Sequence, residues 1–189
     1  MKVGIAGGIG SGKSYVARRL AALRGIEVYD CDAAAKRLMR TSGELRRQLT
    51  ALIGPDTYGE HGLNKAVVSR FLLASEENAQ AINAIVHPAV FADFQQSGLL
   101  WLESAIMYES GADRYVDRVV AVTAPEEVRL QRIVRRDGIT SEQAMEWINR
   151  QWPQDEVRSR ADYEIVNDGQ ADIDKQLNMI LEQLCNRPF

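Results

Sequence analysis

The sequence has few of the features that mark secreted, membrane or nucleic-acid-binding proteins. Its two cysteines, Cys31 and Cys185, lie near opposite ends without C-x-x-C spacing, so we expect reduced thiols. No run approaches the roughly 18 apolar residues of a membrane span, and the N-terminus leads directly into a strand. We therefore expect neither a transmembrane helix nor a signal peptide. The net charge is only −3 and there is no long basic run, which argues against nucleic-acid and membrane partners.

What remains is an ordinary globular composition. The 189 residues are 46% hydrophobic and 26% charged, which suits one compact domain with small insertions. No internal repeat or low-complexity segment interrupts the chain. These properties favour a cytoplasmic protein. Composition does not reveal the oligomeric state, and our expectation is a monomer or a weak homo-oligomer.

The most informative feature is the segment 7–14, GGIGSGKS, which matches G-x-x-x-x-G-K-[ST] without a gap. A short apolar strand precedes it and a helical pattern follows from Tyr15 to Arg24. Glycines allow a tight turn around an anion, and the backbone N–H groups with the helix N-terminus then face the phosphates. Lys13 can reach the outer phosphates and the Ser14 hydroxyl can bind Mg²⁺. The motif predicts a site for a nucleoside triphosphate.

Strand-like and helical segments alternate, which is typical of a parallel sheet covered by helices on both faces. We predict an α/β P-loop kinase fold with a five-stranded parallel sheet, a helical substrate-binding insertion and a lid. The predicted strands are Lys2–Ala6, Ile26–Tyr29, Leu99–Leu102, Arg118–Val122 and Tyr163–Val166.

Two segments do not belong to this alternation. About 65 residues of mostly helical pattern separate the second and third strands, far more than a crossover of a dozen residues requires. Helices are predicted there at Ala33–Arg40, Gly43–Ile53 and Lys65–Ala74. We expect residues 33–95 to form an acceptor-binding subdomain and residues 135–157 to form a lid. Residues 1–32, 96–134 and 158–189 would then form the nucleotide-binding core.

Acidic residues follow the second strand. If the backbone stays extended, Asp30 and Asp32 point to the same side, and such a carboxylate can orient an acceptor hydroxyl or take its proton. Helix capping by Asp32 is the alternative. His87 precedes Pro88, which predicts an extended or turn conformation. A structural histidine among apolar neighbours is the simplest interpretation of His87.

Arginines recur at helical spacing after the fourth strand. Arg129, Arg132 and Arg136 share a helix face, and guanidinium groups bind phosphate oxygens well. We assign Arg129 and Arg135 to a solvated face and keep Arg132 and Arg136 as phosphate-binding candidates. Arg150, in the predicted lid, is a further candidate. Either Glu103 or Glu109 could help to place a metal ion or substrate, although a capping or surface role is equally compatible with the sequence.

Taken together, these motifs resemble the dephospho-coenzyme A kinase family from Val3 to Gly169. The family's G-G-I-G-S-G-K-S is unchanged. Its D-A-D triplet corresponds to 30–32, and its H-P and R-D pairs correspond to 87–88 and 136–137. Its A-D-x-x-I-x-N-x-G corresponds to 161–169. Tyr15 replaces a threonine and Cys31 an alanine. The proline of the family's P-L-L-[FV]-E is absent from 105–109.

The resemblance implies transfer of the ATP γ-phosphate, with Mg²⁺, to the ribose 3′-hydroxyl of dephospho-CoA. It implies catalytic roles for Asp32, Lys13 and Arg136, and acceptor contacts by Asp32 and His87. Arg150 matches no uniform arginine of the family and is an acceptor-binding candidate from its place in the predicted lid. The region after Asn167 would lie near adenine. The full set of expected ATP-binding residues is Gly8, Ile9, Gly10, Ser11, Gly12, Lys13, Ser14, Tyr15, Arg132 and Asn167.

Two other functions share parts of this pattern. A kinase for a nucleoside, a nucleotide or shikimate would have the same loop and lid with a different insertion. A nucleotide-dependent regulatory switch would need neither an acceptor base nor a second substrate pocket. A GTPase is disfavoured because Asp56-Thr57-Tyr58-Gly59, although it fits D-x-x-G, follows no apolar strand.

Overall fold

The computed structural model describes residues 1–186 and divides them into two compact units. The sheet unit contains residues 1–29 and 99–186, and the helical unit contains residues 30–98. The strands are β1 (Val3–Ala6), β2 (Val28–Asp30), β3 (Tyr58–Gly59), β4 (Gly62–Leu63), β5 (Trp101–Ser104), β6 (Arg118–Thr123) and β7 (Tyr163–Val166). The helices are α1 (Lys13–Arg24), α2 (Cys31–Thr41), α3 (Gly43–Ile53), α4 (Lys65–Ala74), α5 (Glu76–Ser97), α6 (Glu126–Asp137), α7 (Ser141–Asn149), α8 (Gln154–Arg160) and α9 (Ile173–Asn186).

The main sheet has five strands in the order β2-β5-β1-β6-β7, which confirms the predicted fold class. The central strand β1 pairs in parallel with β5 and β6, so that Val3 lies opposite Trp101 on one side and Arg118 on the other. Strand β6 pairs in parallel with β7. The carboxyl ends of β1 and β5 therefore lie at the same edge, and the loop 7–12 begins there.

Burial explains why the strands form where they do. The residues of β1 are all buried, and they pack with α1 and α9 through a core that includes Val16, Leu20 and Leu177. The two strands around the insertion differ from prediction. β2 begins at Val28 and β5 at Trp101, each two residues later than expected, because the burial of Trp101 and Leu102 determines the register of β5.

The helical unit is organised around α5. Its residues Ile82, Val86, Val90 and Phe94 recur every four positions and are at most 4% exposed. This face packs against α2, α3 and α4, and the hairpin β3–β4 lies beside α2. The predicted bounds of α3 and α4 are reproduced exactly, whereas α2 begins two residues earlier than predicted.

The prediction that His87 adopts an extended or turn conformation is wrong, because α5 continues through Pro88. A proline inside a helix removes one N–H donor and clashes with the preceding turn. Here the buried face on both sides of Pro88 outweighs that cost, since tertiary packing supplies most helix stability in proteins. His87 is thereby half-buried on a helix, 6.0 Å from the ring of Phe91.

Both cysteines of the chain are free thiols, Cys31 buried in α2 and Cys185 exposed in α9. None of the helices within residues 1–186 combines the length and apolar character needed to cross a bilayer.

Candidate active site

The loop between β1 and α1 is shaped by glycines at positions that no other residue could fill. Gly10 has φ +80°, and a Cβ there would lie 2.7 Å from the Arg129 carbonyl oxygen. Gly12 has φ +98°, and its Cβ would overlap the Asn167 side-chain amide. A side chain at either position would be strained by the backbone angle and blocked by a neighbour. The loop therefore needs glycine here to lie so close to α6 and the end of β7.

Three consecutive carbonyl groups of this loop are bound from outside by side chains. Arg129 Nε donates to the Ile9 oxygen at 3.0 Å. Arg132 Nη1 donates to the oxygens of Gly10 and Ser11 at 3.3 Å, and Asn167 Nδ2 donates to the Ser11 oxygen at 2.8 Å. In a trans peptide the N–H of the next residue points opposite to the carbonyl. The N–H groups of Gly10 and Gly12 are thereby directed away from these side chains, toward the concave side of the loop that suits an anion, whereas the Ser11 N–H donates to the Gly8 oxygen at 3.2 Å.

Arg129 was expected on a solvated face, and that expectation is wrong. Arg129 is only 4% exposed, and no carboxylate within residues 1–186 forms an ion pair with it. Burial lowers the pKa of its guanidinium, partly offset by the charge of Glu126. Helical spacing placed Arg129 correctly beside Arg132, but spacing does not reveal which side of α6 faces the loop.

Gln151 is a functional candidate to which the sequence reasoning assigned no role. Its side-chain oxygen accepts from the Ile9 N–H at 2.7 Å, while its side-chain nitrogen lies 3.3 Å from the Ala105 oxygen as a donor. One amide thus connects the phosphate loop to the segment that follows β5. Because Arg129 binds the Ile9 carbonyl, both backbone groups of Ile9 are held by side chains. No periodicity or motif marks a single glutamine between two helices.

An aromatic cluster fixes the chain next to Gln151. The rings of Trp152 and Tyr108 stack with centroids 6.1 Å apart, and the Arg160 guanidinium lies 4.4 Å from the Trp152 ring centroid. The Trp152 N–H donates to Glu109. Burial raises the pKa of the Tyr108 hydroxyl to about 12. Of the two glutamates considered from sequence, Glu109 therefore anchors residue 152.

Glu103, at the end of β5, contacts the phosphate-loop helix directly. The Ser14 hydroxyl donates to Glu103 Oε1 at 2.9 Å, and Glu103 is only 7% exposed. Lys13 Nζ lies 3.5 Å from the Gly8 oxygen. A hydroxyl and a carboxylate side by side at the end of the loop form a donor set of the kind that Mg²⁺ prefers.

The remaining sheet-unit candidates are more peripheral. Arg136 lies in the last turn of α6 and pairs with Asp137, whose carboxylate raises the pKa of the guanidinium. Arg150 directly follows α7 and is exposed. Tyr15 is 44% exposed on α1. Ser11 is fully buried and both of its backbone groups are hydrogen-bonded within the protein, so it supports the loop from inside.

The helical unit holds two of the three acceptor candidates, Asp32 and His87, and the assumption of an extended backbone at 30–32 is wrong. Asp30 caps α2 by accepting from the Ala33 N–H at 2.9 Å, so the capping role belongs to Asp30 and not to Asp32. Asp32 lies exposed in the first turn of the helix. Burial lowers the pKa of His87, while the charge of Asp32 raises it by a smaller amount. The structure therefore brings Asp32 and His87 into electrostatic contact across α2 and α5.

Comparison with known proteins identifies the family. The dephospho-CoA kinase family model matches residues 1–172. The chain belongs to the dephospho-CoA kinase family. It is 38% identical over 184 residues to a dephospho-CoA kinase of Bacteroides fragilis, covering 94% of this chain and 89% of that protein. It is also 36% identical to a dephospho-CoA kinase of Chlorobaculum tepidum, covering 96% and 94%.

Solved structures share the fold. The crystal structure of TT1252 from Thermus thermophilus superposes with a TM-score of 0.83 at 29% identity, covering 97% of each chain. Dephospho-CoA kinase from Campylobacter jejuni gives a TM-score of 0.64 at 20% identity, covering 97% and 98%. A shikimate kinase from Acinetobacter baumannii gives 0.58 at 18% identity, covering 97% and 92%. The last two likenesses concern the P-loop kinase fold alone.

Removing the Gln151 amide tests its contact with the loop. We expect Gln151→Ala to raise KM for ATP about fivefold, because a hydrogen bond that positions a partly buried N–H contributes about 1 kcal/mol. Steady-state kinetics with varied ATP measures this. Gln154→Ala is the matched control: Gln154 accepts from the Ala124 N–H at 2.9 Å and lines the same cavity of about 420 Å³, but does not contact the loop. Equal KM values for both variants would contradict the assignment.

The lowered pKa of His87 predicts a pH-dependent stability. A histidine whose pKa is depressed in the folded state binds fewer protons there than in the unfolded chain. Its stabilising contribution is complete above the ordinary histidine pKa of about 6.5 and is lost as pH falls through the lower native value. Calorimetric melting between pH 7.5 and 5 should show this decline and a flatter profile for His87→Gln. His61→Gln, at the exposed second histidine, should retain the wild-type slope; an unchanged slope in His87→Gln would contradict the prediction.

Proposed function

We propose that this protein transfers the γ-phosphate of ATP to the ribose 3′-hydroxyl of dephospho-CoA, giving coenzyme A and ADP in the last step of CoA biosynthesis. The observation that carries the proposal is the loop 7–14, whose carbonyl groups accept hydrogen bonds from side chains outside the loop, in a chain of the dephospho-CoA kinase family. The loop accounts for the phosphate donor. Family membership accounts for the acceptor.

ATP binding is assigned to the backbone N–H groups of the loop and to the side chains of Lys13 and Ser14. The N–H groups directed inward hold the β- and γ-phosphates, and Lys13 neutralises the charge that develops on the transferred group. Arg132 and Asn167 bind the loop from the adenine side in this proposal, and their mutual hydrogen bond at 3.3 Å keeps both in place. These residues act by positioning, because phosphoryl transfer needs little covalent chemistry from the protein.

Mg²⁺ is the proposed metal, and the residues present fit it. Ser14 and Glu103 supply two adjacent oxygen donors, which leaves further ligand positions for water and phosphate oxygens, as is usual for Mg²⁺. When bound, the ion would neutralise charge on the β- and γ-phosphates. Ser14 and Glu103 hold each other in place through the 2.9 Å hydrogen bond, which preorganises the oxygens.

On the acceptor side, Asp32 is the proposed base or hydroxyl-orienting group, with His87 as a neighbouring acceptor contact. An exposed carboxylate in the first turn of α2 is accessible to a substrate hydroxyl. Deprotonated Asp32 can accept the 3′-hydroxyl proton as the oxygen attacks phosphorus.

A lid completes the proposed mechanism. Residues 135–157 would close over ATP with Arg136 directed at the transferred phosphoryl group and Arg150 toward the acceptor. Support comes from the exposure of both arginines and from Gln151, which joins this segment to the phosphate loop. Exclusion of water by such a lid suppresses hydrolysis of ATP.

The wider setting is part of the same proposal. Residues 33–95 form the acceptor-binding subdomain, and the remaining core binds the nucleotide. The two free thiols favour a reducing compartment such as the cytoplasm. The protein acts as a monomer or a weak homo-oligomer on small-molecule substrates without nucleic acid.

A panel of acceptors tests the function. With ATP and Mg²⁺, ADP release should depend on dephospho-CoA and be at least about tenfold slower with nucleoside monophosphates or shikimate, because one well-placed contact discriminates by that factor. Equal or faster release with another acceptor would replace the proposed substrate. Tight ATP binding with no acceptor-dependent release would favour a regulatory switch.

Asp32→Asn tests the acceptor chemistry. We expect turnover to fall about a hundredfold or more, the scale of lost acid–base assistance, with ATP affinity changed by no more than a few-fold. The kcat and the Kd for ATP should be measured on the same preparation. Turnover equal to that of the wild type would remove Asp32 from the mechanism.

A further inference from the structure

The helical unit contains a cavity of about 270 Å³ with an unusual combination of lining residues. Three cationic side chains and three apolar side chains line it together. The cations are Lys36 and Arg40 of α2 with Lys65 of α4, and the apolar residues are Met39, Leu63 and Val68. No acidic side chain of the described residues lines it.

The three cations differ from two arginines of the same unit that form ion pairs. Arg37 pairs with Asp93 and Arg47 pairs with Glu44. In residues 1–186, no such ion pair involves Lys36, Arg40 or Lys65. Three like charges around one cavity repel one another, so an anion that enters it gains attraction from all three.

The spacing along α2 connects this cavity to the proposed reaction centre. Asp32, Lys36 and Arg40 are four residues apart in turn, so they lie along one face of the helix. Each step of four residues advances about 6 Å along the axis. A ligand whose hydroxyl meets Asp32 and whose anionic groups lie one to two turns farther along would contact both cations.

We propose that this cavity binds the tail of the acceptor, with Lys36, Arg40 and Lys65 on its diphosphate and the apolar residues along its uncharged pantetheine arm. The inference rests on the proposed function, because it takes dephospho-CoA as the acceptor. Lysine and arginine are the usual partners of phosphate oxygens. Met39, Leu63 and Val68 supply an adaptable apolar wall for an amide-containing chain with a branched methyl group.

This arrangement gives selectivity a physical basis. Adenosine presents the same 3′-hydroxyl to Asp32 but no anion to the cavity. AMP presents one phosphate, and dephospho-CoA presents two phosphates and an arm. Affinity should therefore rise along this series, with the last step dependent on the apolar wall.

Binding measured without turnover tests the proposal separately from the activity. Calorimetric titrations use enzyme whose phosphate loop is saturated with a non-hydrolysable ATP analogue, with dephospho-CoA and AMP as titrants. Lys36→Met and Arg40→Met should each weaken dephospho-CoA binding about tenfold, and the double variant about a hundredfold, the scale of a lost charged hydrogen bond. Arg70→Met, an exposed cation of α4 outside the cavity, is the matched control and should bind as the wild type does.

The apolar wall has its own test. Met39→Gln keeps the side-chain length and should weaken dephospho-CoA binding severalfold while leaving AMP binding unchanged, because AMP has no arm. Melting temperatures of all variants show whether they are folded. Kinetics then give a KM-against-kcat split, and we expect KM for dephospho-CoA to rise without a matching change in KM for ATP.

The possible results separate the two proposals. Wild-type affinity for dephospho-CoA in folded Lys36→Met/Arg40→Met would overturn the cavity assignment, even if the enzyme phosphorylates dephospho-CoA. Equal weakening of AMP and dephospho-CoA by Met39→Gln would overturn the assignment of the arm. Charge-dependent binding of dephospho-CoA in a protein that fails to phosphorylate it would uphold the cavity and refute the proposed function.

Discussion

The candidate site depends on the orientation of a few peptide groups between β1 and α1. Side chains on α6 and after β7 bind the carbonyls of Ile9, Gly10 and Ser11, so the N–H groups of Gly10 and Gly12 face the opposite way, toward the proposed phosphate site. Without these contacts a glycine-rich loop would sample many conformations, and a bound phosphate would have to order it at an entropic cost. Arg129, Arg132 and Asn167 meet that cost on folding, before the nucleotide arrives.

The same arrangement explains a buried arginine without a carboxylate partner. Burial of an unpaired guanidinium is unfavourable, which the lowered pKa of Arg129 reflects. The Ile9 carbonyl compensates in part, and Gln151 holds the N–H of the same residue. A site intended for a highly charged anion can retain a cation that an ordinary core would exclude. The buried guanidinium of Arg129 therefore lowers the stability of the fold but gives a positive potential behind the loop.

In the helical unit the acceptor candidates lie on helices and not on a loop. Packing of the α5 face on three helices holds α2 in place, and α2 then presents Asp32, Lys36 and Arg40 along one line. His87 remains half-buried in the same helix as Pro88, with its protonation sensitive to Asp32. A rigid helical scaffold thereby places charge at regular intervals, which a flexible loop could not do.

The sequence by itself determined the phosphate loop, the parallel α/β sheet and the family, because each depends on local spacing: glycine positions, apolar runs and short ordered motifs. Only the tertiary structure decided that Arg129 faces the loop, that Gln151 binds Ile9 and that His87 lies within a helix. Contacts across 120 to 142 positions of sequence leave no local signal. Likewise, the cost of a proline in a helix is outweighed only by packing with distant helices.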